Sequence, residues 1–264
     1  CILIDTTCGS VLNVWKRVES YARDGFTALI HGKYFHEETR ATASQSHTFP
    51  GGKYLIVRDM DEAKLVMNYI EQTADALSRD AFIAHFAPKA PAGFDPDTDL
   101  VRIGVANQTT MLATESLAIA AAVGRSLALR YGAAHLEDHF RSFDTICSAT
   151  QERQDAVIQI MQDPPDVMIV IGGYNSSNTN HLAHLCREYT TAYHIADATC
   201  IDADDHTIRH KPELAADAPE VMETDWLPEG PLTIGLTAGA STPNNKIGET
   251  IERILATRGM KATA

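Results

Sequence analysis

Short apolar runs alternate along the chain with stretches in which apolar residues recur every three to four positions. The apolar residues at 11, 14, 15, 18 and 21 fall on one face of a helix. Apolar, β-prone runs predict strands at 1–4, 27–30, 54–57, 101–105, 167–171, 193–196 and 232–236, and 3.6-residue periodicity predicts helices near 63–70 and at 109–131, 148–161, 177–189 and 243–258. Strands that alternate with helices predict an α/β fold with mainly parallel sheets.

Two segments break this alternation. Residues 87–99 contain three prolines and are predicted to form a loop or an insertion, and the acidic residues 202–229 are predicted to be loop-like. A boundary near 144–147 divides the chain into halves of similar pattern, 1–146 and 147–264. At roughly 150 residues per domain, this length also predicts two domains.

The composition excludes several classes of protein. Lys and Arg number 22 against 35 Asp and Glu, which gives a net charge of −13 and argues against a general nucleic-acid or anionic-membrane binder. An apolar run of about 18 residues, the length of a transmembrane helix, does not occur in the sequence. The five scattered cysteines favour reduced thiols in a cytosol-like compartment over a disulfide framework.

Polar side chains are concentrated where the predicted strands end, which is where open α/β sheets bind ligands. Cys8 and Cys147 each follow an Asp-Thr-x sequence and each precede a predicted helix. A helix N-terminus favours the thiolate, the form that binds a metal or an iron–sulfur cluster. From spacing alone, two buried structural cysteines remain an alternative, and the separation of 139 residues excludes a local zinc knuckle.

A second group of polar residues fits an anion. Ser176, Ser177 and Asn178 open one predicted helix, and Ser241 lies just before another, so their hydroxyls and amides would form a phosphate cradle. Ordinary helix capping is the alternative for each loop. His36 and Glu38 lie two residues apart in a polar loop, where an imidazole would bind phosphate and a carboxylic acid would deliver a proton; a solvated loop is the alternative.

Other polar or sulfur-containing residues fit structural roles better. His31, at a strand end, is predicted to be a structural hydrogen-bonding residue, and Cys186 lies on an apolar helix face. Cys200 is also predicted to be structural, and a zinc site made by Cys200, His206 and His210 is disfavoured because it lacks a fourth ligand nearby.

The loops together resemble one family, 4-hydroxy-3-methylbut-2-enyl diphosphate reductase (IspH/LytB), in its cyanobacterial and plastid branch. The motifs that carry the resemblance are Asp5-Thr6-Thr7-Cys8, His31-Gly32-Lys33-Tyr34-Phe35-His36-Glu37-Glu38-Thr39, Ala106-Asn107-Gln108-Thr109-Thr110-Met111, Asp144-Thr145-Ile146-Cys147-Ser148-Ala149-Thr150-Gln151-Glu152-Arg153-Gln154, Asn175-Ser176-Ser177-Asn178 and Thr237-Ala238-Gly239-Ala240-Ser241-Thr242-Pro243. The resemblance implies an oxidoreductase of the non-mevalonate (MEP) isoprenoid pathway, which removes the hydroxyl of an allylic diphosphate to give isopentenyl and dimethylallyl diphosphates. It also implies a location in a bacterial cytoplasm or, in a eukaryote, in the plastid stroma. The implied fold is a set of repeated three-layer α/β domains, with mainly parallel sheets, around a central iron–sulfur site.

The resemblance also implies a role for each matched residue. Cys8 and Cys147 would be two of three cysteine ligands of a 4Fe-4S cluster. Glu38 would be the proton donor, and Thr109 would orient the substrate hydroxyl. The diphosphate would be held by His36, Ser176, Ser177, Asn178 and Ser241, and a ferredoxin- or flavodoxin-type protein would donate electrons.

The sequence departs from the family pattern in two respects. Gly9 stands where the family usually has proline after the first cysteine. The chain also begins with Cys1 in a strand-like run, so it is expected to contain the second and third domains of the family, 1–146 and 147–264, without the N-terminal domain that supplies the third cysteine and two further histidines. Two alternatives follow: a truncated α/β remnant without a cluster, or a phosphate-binding module without redox activity.

Overall fold

The computed structural model describes residues 8–143, 147–212 and 218–260. These fall into two compact units, Cys1–Cys147 and Ser148–Ala264. The predicted strand at 1–4 and the residues 144–146 lie outside the described residues. The assignment of the two units to the second and third domains of the family stays a prediction.

The first unit contains a four-stranded parallel sheet in the order β2-β1-β3-β4. Its strands are β1 Thr27–His31, β2 Tyr54–Val57, β3 Ile103–Asn107 and β4 Phe140–Ser142, and its helices are α1 Gly9–Arg23, α2 Glu37–Ser44, α3 Met60–Glu71, α4 Arg79–Phe86, α5 Pro96–Asp99, α6 Ala113–Tyr131 and α7 Leu136–His139. Asp59 caps α3, since its carboxylate accepts from the Glu62 backbone N–H at 3.0 Å.

Helices cover both faces of this sheet. Leu29 and Val105 lie in one buried cluster with apolar residues of α3 and α6. Ala28 and Ile30 point the other way, into a cluster with Val14 of α1 and its neighbours. Because alternate strand residues are buried on opposite faces, the strands read as continuous apolar runs rather than as alternating ones.

The second unit repeats this three-layer arrangement on a smaller sheet, in the order β10-β5-β6 with all strands parallel. Its elements are α8 Ser148–Ile160, β5 Val167–Ile171, α9 Ser177–Arg187, β6 Thr191–Ile195, β7 Ile201–Asp202, β8 Thr207–His210, β9 Val221–Thr224, β10 Ile234–Ala238 and α10 Asn244–Thr257. Val170 packs with residues of α8 and α9, whereas Ile169 packs with Ile254 of α10 on the other face. The α/β fold with parallel sheets is therefore confirmed.

The prediction of a loop over residues 202–229 is wrong. Strands β7, β8 and β9 form a separate antiparallel sheet there. All four residues of β9 are exposed, so this strand has no buried face that would mark it by alternating hydrophobicity. Short, partly polar strands of this kind are specified by their partners more than by their own sequence.

Several boundaries in the first unit also differ from the predicted ones. Residues 87–99 include a 3₁₀ turn at Ala87–Lys89 and the one-turn helix α5, because prolines near a first helical turn are compatible with it. Helix α6 begins at Ala113 instead of at residue 109, and β3 runs to Asn107. The sequence analysis did not identify α2, α4, α7 and β4. The polar loop predicted around His36 and Glu38 ends at His36, which caps α2. In the described part of the chain, no helix combines the length and the apolar character needed to cross a membrane.

Candidate functional site

The order of the strands places two polar loops side by side in the first unit. From β1 the chain moves to one neighbouring position for β2 and then to the opposite side of β1 for β3. Loops that leave adjacent strands in opposite directions open a crevice at their carboxyl ends, the usual ligand site of such sheets. Glu38 lies in the first turn of α2, directly after the loop that follows β1, and Thr109 lies in the loop after β3. A hydrogen bond from the Gln108 N–H to the His31 carbonyl, 2.8 Å, joins the two loops at the strand ends.

Glu38 and Thr109, the predicted acid and the predicted hydroxyl, are in direct contact. The Thr109 backbone N–H donates to Glu38 Oε1 at 2.6 Å. Thr109 is buried and Glu38 is half-buried. The Glu38 N–H in turn donates to Nδ1 of His36, which caps α2. An Nδ1 that accepts a hydrogen bond carries no proton, so any proton on this ring is on Nε2.

Gln108 holds these two loops together. Its side chain is completely buried, and its Oε1 accepts from the Lys33 N–H at 3.2 Å and from the Thr39 hydroxyl at 3.0 Å. Its Nε2 donates to Thr110 Oγ1 at 2.8 Å. Gly32 is needed beside it, since a Cβ there would lie 2.7 Å from Thr39 Oγ1. The sequence analysis quoted Gln108 in a motif but gave it no role, because a glutamine in a polar loop does not show that it is buried.

Cys147 is attached to the same group of residues. Its N–H donates to the Thr109 carbonyl at 3.3 Å, so one backbone residue bridges Glu38 and Cys147. Cys8 is the N-cap of α1 and is exposed, and its thiol makes no capping hydrogen bond. Among the residues that the structure describes, no three His, Cys, Asp or Glu side chains form a group able to hold a metal ion.

The remaining cysteines are buried in the second unit. Cys186 lies in the core cluster of α8 and α9, where burial raises the pKa of its thiol to about 12. Cys200 is also buried and belongs to the other cluster of this unit. The disfavoured zinc set of Cys200, His206 and His210 does not form a metal-holding group within the described ranges. His31 is fully buried and its Nδ1 lies 2.8 Å from Ser116 Oγ, which fits a structural role.

The second unit has the same topology, and its crevice lies between β5 and β10. From β5 the chain adds β6 on one side and β10 on the other. Ser176 ends the loop after β5, Ser177 and Asn178 begin α9, and the loop after β10 carries Ser241. The Gly239 N–H donates to the Ile171 carbonyl at 3.0 Å, which keeps the two strand ends together.

The polar groups of this second crevice are only partly satisfied. Ser176 caps α9, its Oγ accepting from the Thr179 N–H at 3.3 Å, as the capping alternative predicted. Ser177 and Asn178 are both buried, yet Ser177 Oγ and both polar atoms of the Asn178 amide have no hydrogen-bond partner among the described residues. Each buried polar atom left unpaired costs about 1–3 kcal/mol, so this loop favours a ligand that would pair with them. Ser241 is exposed.

Close packing keeps this crevice narrow. A Cβ on Gly172 would lie 2.8 Å from Thr179 Oγ1, and one on Gly239 would lie 2.2 Å from the same atom. Thr242 Oγ1 donates to the Ile171 carbonyl at 3.1 Å, which joins the loop after β10 to the end of β5. Glycine at both strand ends therefore allows the two polar loops to approach each other.

The third loop at this edge, after β6, carries an ion pair that the sequence analysis missed. Asp197 accepts from Lys246 Nζ at 2.7 Å, and this bond, together with those from Thr199, lowers the pKa of Asp197 to about 2. Lys246 lies in the first turns of α10, 49 residues away along the chain. No local sequence pattern could have linked residues at that separation.

Comparison with known proteins agrees with this architecture. The family model described as "LytB protein" matches residues 1–255. The curated 4-hydroxy-3-methylbut-2-enyl diphosphate reductase of Gloeobacter violaceus is 47% identical over 98% of this chain and 60% of its own length, and that of Thermosynechococcus vestitus is 48% identical over 98% and 62%. A solved structure, the E-1-hydroxy-2-methyl-but-2-enyl-4-diphosphate reductase from Plasmodium falciparum, matches with a TM-score of 0.57 and 19% identity over 96% of this chain and 59% of that chain.

An α/β chain with polar crevices at two strand-order reversals has the architecture in which parallel-sheet proteins bind their ligands. The extent of the family match makes the assignment specific: the chain belongs to the LytB family. It spans about three fifths of the length of the curated relatives named above. The solved structure supports the fold alone, because its sequence identity is low.

Proposed function

We propose that this chain is part of a reductase that removes the hydroxyl of 4-hydroxy-3-methylbut-2-enyl diphosphate and gives isopentenyl and dimethylallyl diphosphates. The observation that carries the proposal is the pair of hydrogen bonds made by the Thr109 backbone: its N–H donates to the Glu38 carboxylate, and its carbonyl accepts from the Cys147 N–H. These two bonds bring an acid, a hydroxyl residue and a cysteine together. The names of the curated relatives favour a reductase over a truncated remnant or a phosphate-binding module without activity.

The LytB family uses a 4Fe-4S cluster. Thiolate sulfur is the ligand that such a cluster requires, and Cys8 and Cys147 would supply two thiolates. Cys8 is exposed, and its thiol makes no capping hydrogen bond. Cys147 is half-buried and is bonded through its backbone N–H to Thr109. Both residues are therefore of the chemical type that an iron–sulfur cluster requires. When bound, the cluster would supply electrons and an iron that acts as a Lewis acid toward the substrate oxygen.

Glu38 is the proposed source of the proton that converts the substrate hydroxyl into water. Since Oε1 accepts from the Thr109 N–H, the proton is assigned to the other oxygen, Oε2. The complete change consumes two electrons and two protons. The carbon–oxygen bond breaks, one proton leaves with the hydroxyl as water, and the electron pair and the second proton form the new carbon–hydrogen bond. A ferredoxin- or flavodoxin-type protein is the proposed electron donor.

The second crevice is the proposed binding site of the diphosphate, and His36 of the first unit is proposed as a further diphosphate-binding residue. The unpaired atoms of Ser177 and Asn178 support this assignment, because a diphosphate oxygen accepts from hydroxyl and amide donors. Ser176 would take part through its O–H, since its oxygen already accepts from Thr179 and leaves the hydroxyl proton available. Ser241, exposed on the adjacent loop, would bind the other side of the same group. Binding the diphosphate away from the reacting carbon would fix that carbon relative to the acid.

Replacement of the proposed thiolate ligands tests the cluster assignment. In the complete enzyme, loaded with iron and sulfide without oxygen, Cys8→Ser or Cys147→Ser should abolish both turnover and the absorption of the cluster. Cys186→Ala is the matched control, because this thiol is buried in the core of the second unit. Full turnover and normal cluster content in either ligand variant would contradict the assignment.

A further inference from the structure

The loop that follows β5 begins with a residue that is held by the neighbouring strand β6. The Gly172 N–H donates to the Ile195 carbonyl at 2.9 Å. The Gly172 carbonyl oxygen lies 3.0 Å from Nε2 of His194, which is also on β6. Because a carbonyl oxygen only accepts hydrogen bonds, Nε2 carries a proton and donates it to Gly172. Both backbone polar groups of Gly172 are therefore bound to β6.

The side chain of His194 is fixed in this position. The residue is buried, and its backbone carbonyl accepts from the Lys211 N–H at 2.9 Å. Its ring meets the ring of Tyr174 edge to face, with the centroids 5.0 Å apart. Burial lowers the pKa of His194 to about 4, so the ring is neutral at pH 7 and contributes a hydrogen bond rather than a charge.

The bond from His194 sets the direction of the next N–H in the loop. The peptide bonds of the described residues are trans, and in a trans peptide the C=O and the N–H point in opposite directions. Since the Gly172 carbonyl is turned toward His194, the Gly173 N–H is directed away from that ring and from β6. The second crevice lies between β5 and β10, on the side of β5 opposite β6.

Gly173 is accessible to a ligand in this crevice. It is exposed, and a Cβ there would meet nothing within 4 Å. Its carbonyl accepts from the Ser176 N–H at 2.9 Å, whereas its own N–H donates to none of the described residues. Farther along, Ser177 Oγ and the amide of Asn178 are buried without partners in the described part of the chain. Backbone N–H groups, a hydroxyl and an amide in one short segment are the donors that phosphate oxygens accept from.

We propose that His194 is a positioning residue that, through the Gly172 carbonyl, turns the Gly173 N–H toward the bound diphosphate. That N–H is then a further donor beside Ser177 and Asn178, and the inference rests on the proposed function of this crevice. Without the imidazole, the buried Gly172 carbonyl would have no donor, and rotation of the peptide toward water would turn the Gly173 N–H away. A donor that is oriented before the ligand binds loses less conformational entropy on binding.

Calorimetric titration of inorganic diphosphate into the full 264-residue chain tests the proposal. His194→Leu removes the donor and should weaken diphosphate binding by about tenfold to hundredfold, the worth of one hydrogen bond to a charged group. His194→Gln retains an N–H donor and should restore most of the affinity. With isotope-labelled glycine, diphosphate should shift the NMR signal of the Gly173 amide downfield in the unchanged chain and in His194→Gln, but not in His194→Leu. In the complete enzyme, His194→Leu should raise KM and leave kcat unchanged.

A second pair of variants leaves the buried histidine in place. Gly173→Pro removes the N–H and should weaken diphosphate binding, because proline has no backbone donor. Gly173→Ala keeps the N–H, has open space for its methyl group and lacks a positive φ, so it should bind diphosphate as the unchanged chain does. His184→Leu is the control for the histidine, since this side chain on α9 is 56% exposed and should leave the affinity unchanged.

The outcomes separate the positioning role from the diphosphate site itself. Unchanged diphosphate affinity in His194→Leu or in Gly173→Pro, with Ser177→Ala clearly weakened, would overturn the role of His194 and leave the site standing. An equal loss in His194→Leu and His194→Gln would also overturn it, because the restored donor would then have no effect. If Ser177→Ala and Asn178→Ala bind diphosphate as tightly as the unchanged chain, the proposed cradle is wrong, and the inference is overturned with it.

Discussion

The buried amide of Gln108 allows a quantitative prediction about the first crevice. Gln108→Met keeps the length of the side chain but removes three hydrogen bonds, to the Lys33 N–H, the Thr39 hydroxyl and the Thr110 hydroxyl. Lys33 and Thr110 are half-exposed and would bind water instead, whereas Thr39 is fully buried and would remain without its acceptor. With about 1 kcal/mol for each replaced bond and about 1–3 kcal/mol for a buried orphan, the expected loss is about 3–5 kcal/mol of unfolding free energy.

Urea denaturation of the full chain measures this loss directly. The midpoint should fall while the slope of free energy against urea stays constant, because the surface exposed on unfolding is unchanged. Adding Thr39→Val should recover part of the loss, since valine has no hydroxyl to leave unpaired. Gln159→Met, on an exposed position of α8, is the control and should have little effect. A loss below about 0.5 kcal/mol in Gln108→Met, or no recovery with Thr39→Val, would refute the role given to this amide.

Three further predictions concern stability. Gly9 begins α1, and a Cβ there would meet nothing within 4 Å, so Gly9→Ala should raise the unfolding free energy by about 0.5–1 kcal/mol, measured by thermal denaturation. Gly25→Ala should lower it, because Gly25 has a φ of +73°, which strains a residue with a Cβ. Ser177→Ala should leave the melting temperature unchanged or raise it while weakening diphosphate binding, because the serine hydroxyl is buried without a partner; a marked loss of stability would contradict this. Burial lowers the pKa of His194 from 6.5 to about 4, so the unfolded chain takes up this proton at a higher pH than the folded chain does. The unfolding free energy should therefore be highest above pH 6.5, where the ring is neutral in both states. It should fall by an amount on the order of 3 kcal/mol as the pH decreases from 6.5 to 4. The urea midpoint of His194→Gln should therefore depend less on pH between 6.5 and 4 than that of the unchanged chain. The same pH dependence in both proteins would contradict this role of His194.

Most strands of the two parallel sheets could be predicted because they are buried on both faces, whereas the short and partly exposed β4 was missed. Residues 167–171 of β5 are all buried, and an apolar run of that length has few other interpretations. The exposed strand β9 offered no such pattern, and the ion pair between Arg209 and Glu220 became visible only when the fold brought these two residues together. Local hydrophobicity specifies buried strands well and exposed antiparallel strands poorly.

The candidate residues could be predicted from their positions at strand ends, but their contacts could not. The sequence placed Glu38 and Thr109 in different loops, 71 residues apart, and only the 2-1-3 strand order makes these loops neighbours. The burial of Gln108 and the pairing of Asp197 with Lys246 likewise depend on contacts between distant segments. Motifs identified the chemistry, and topology determined which groups meet.

Turnover of Glu38→Gln tests the central claim most directly. In the complete enzyme, loaded with its cluster and supplied with a chemical reductant, this variant should bind the allylic diphosphate as tightly as the unchanged enzyme does, because the amide oxygen still accepts from the Thr109 N–H. Its turnover should nevertheless be lost, since an amide cannot deliver the proton. Glu37→Gln is the matched control, because the neighbouring carboxylate is 91% exposed and should keep full turnover. Full turnover in Glu38→Gln would contradict the role of Glu38 as the acid.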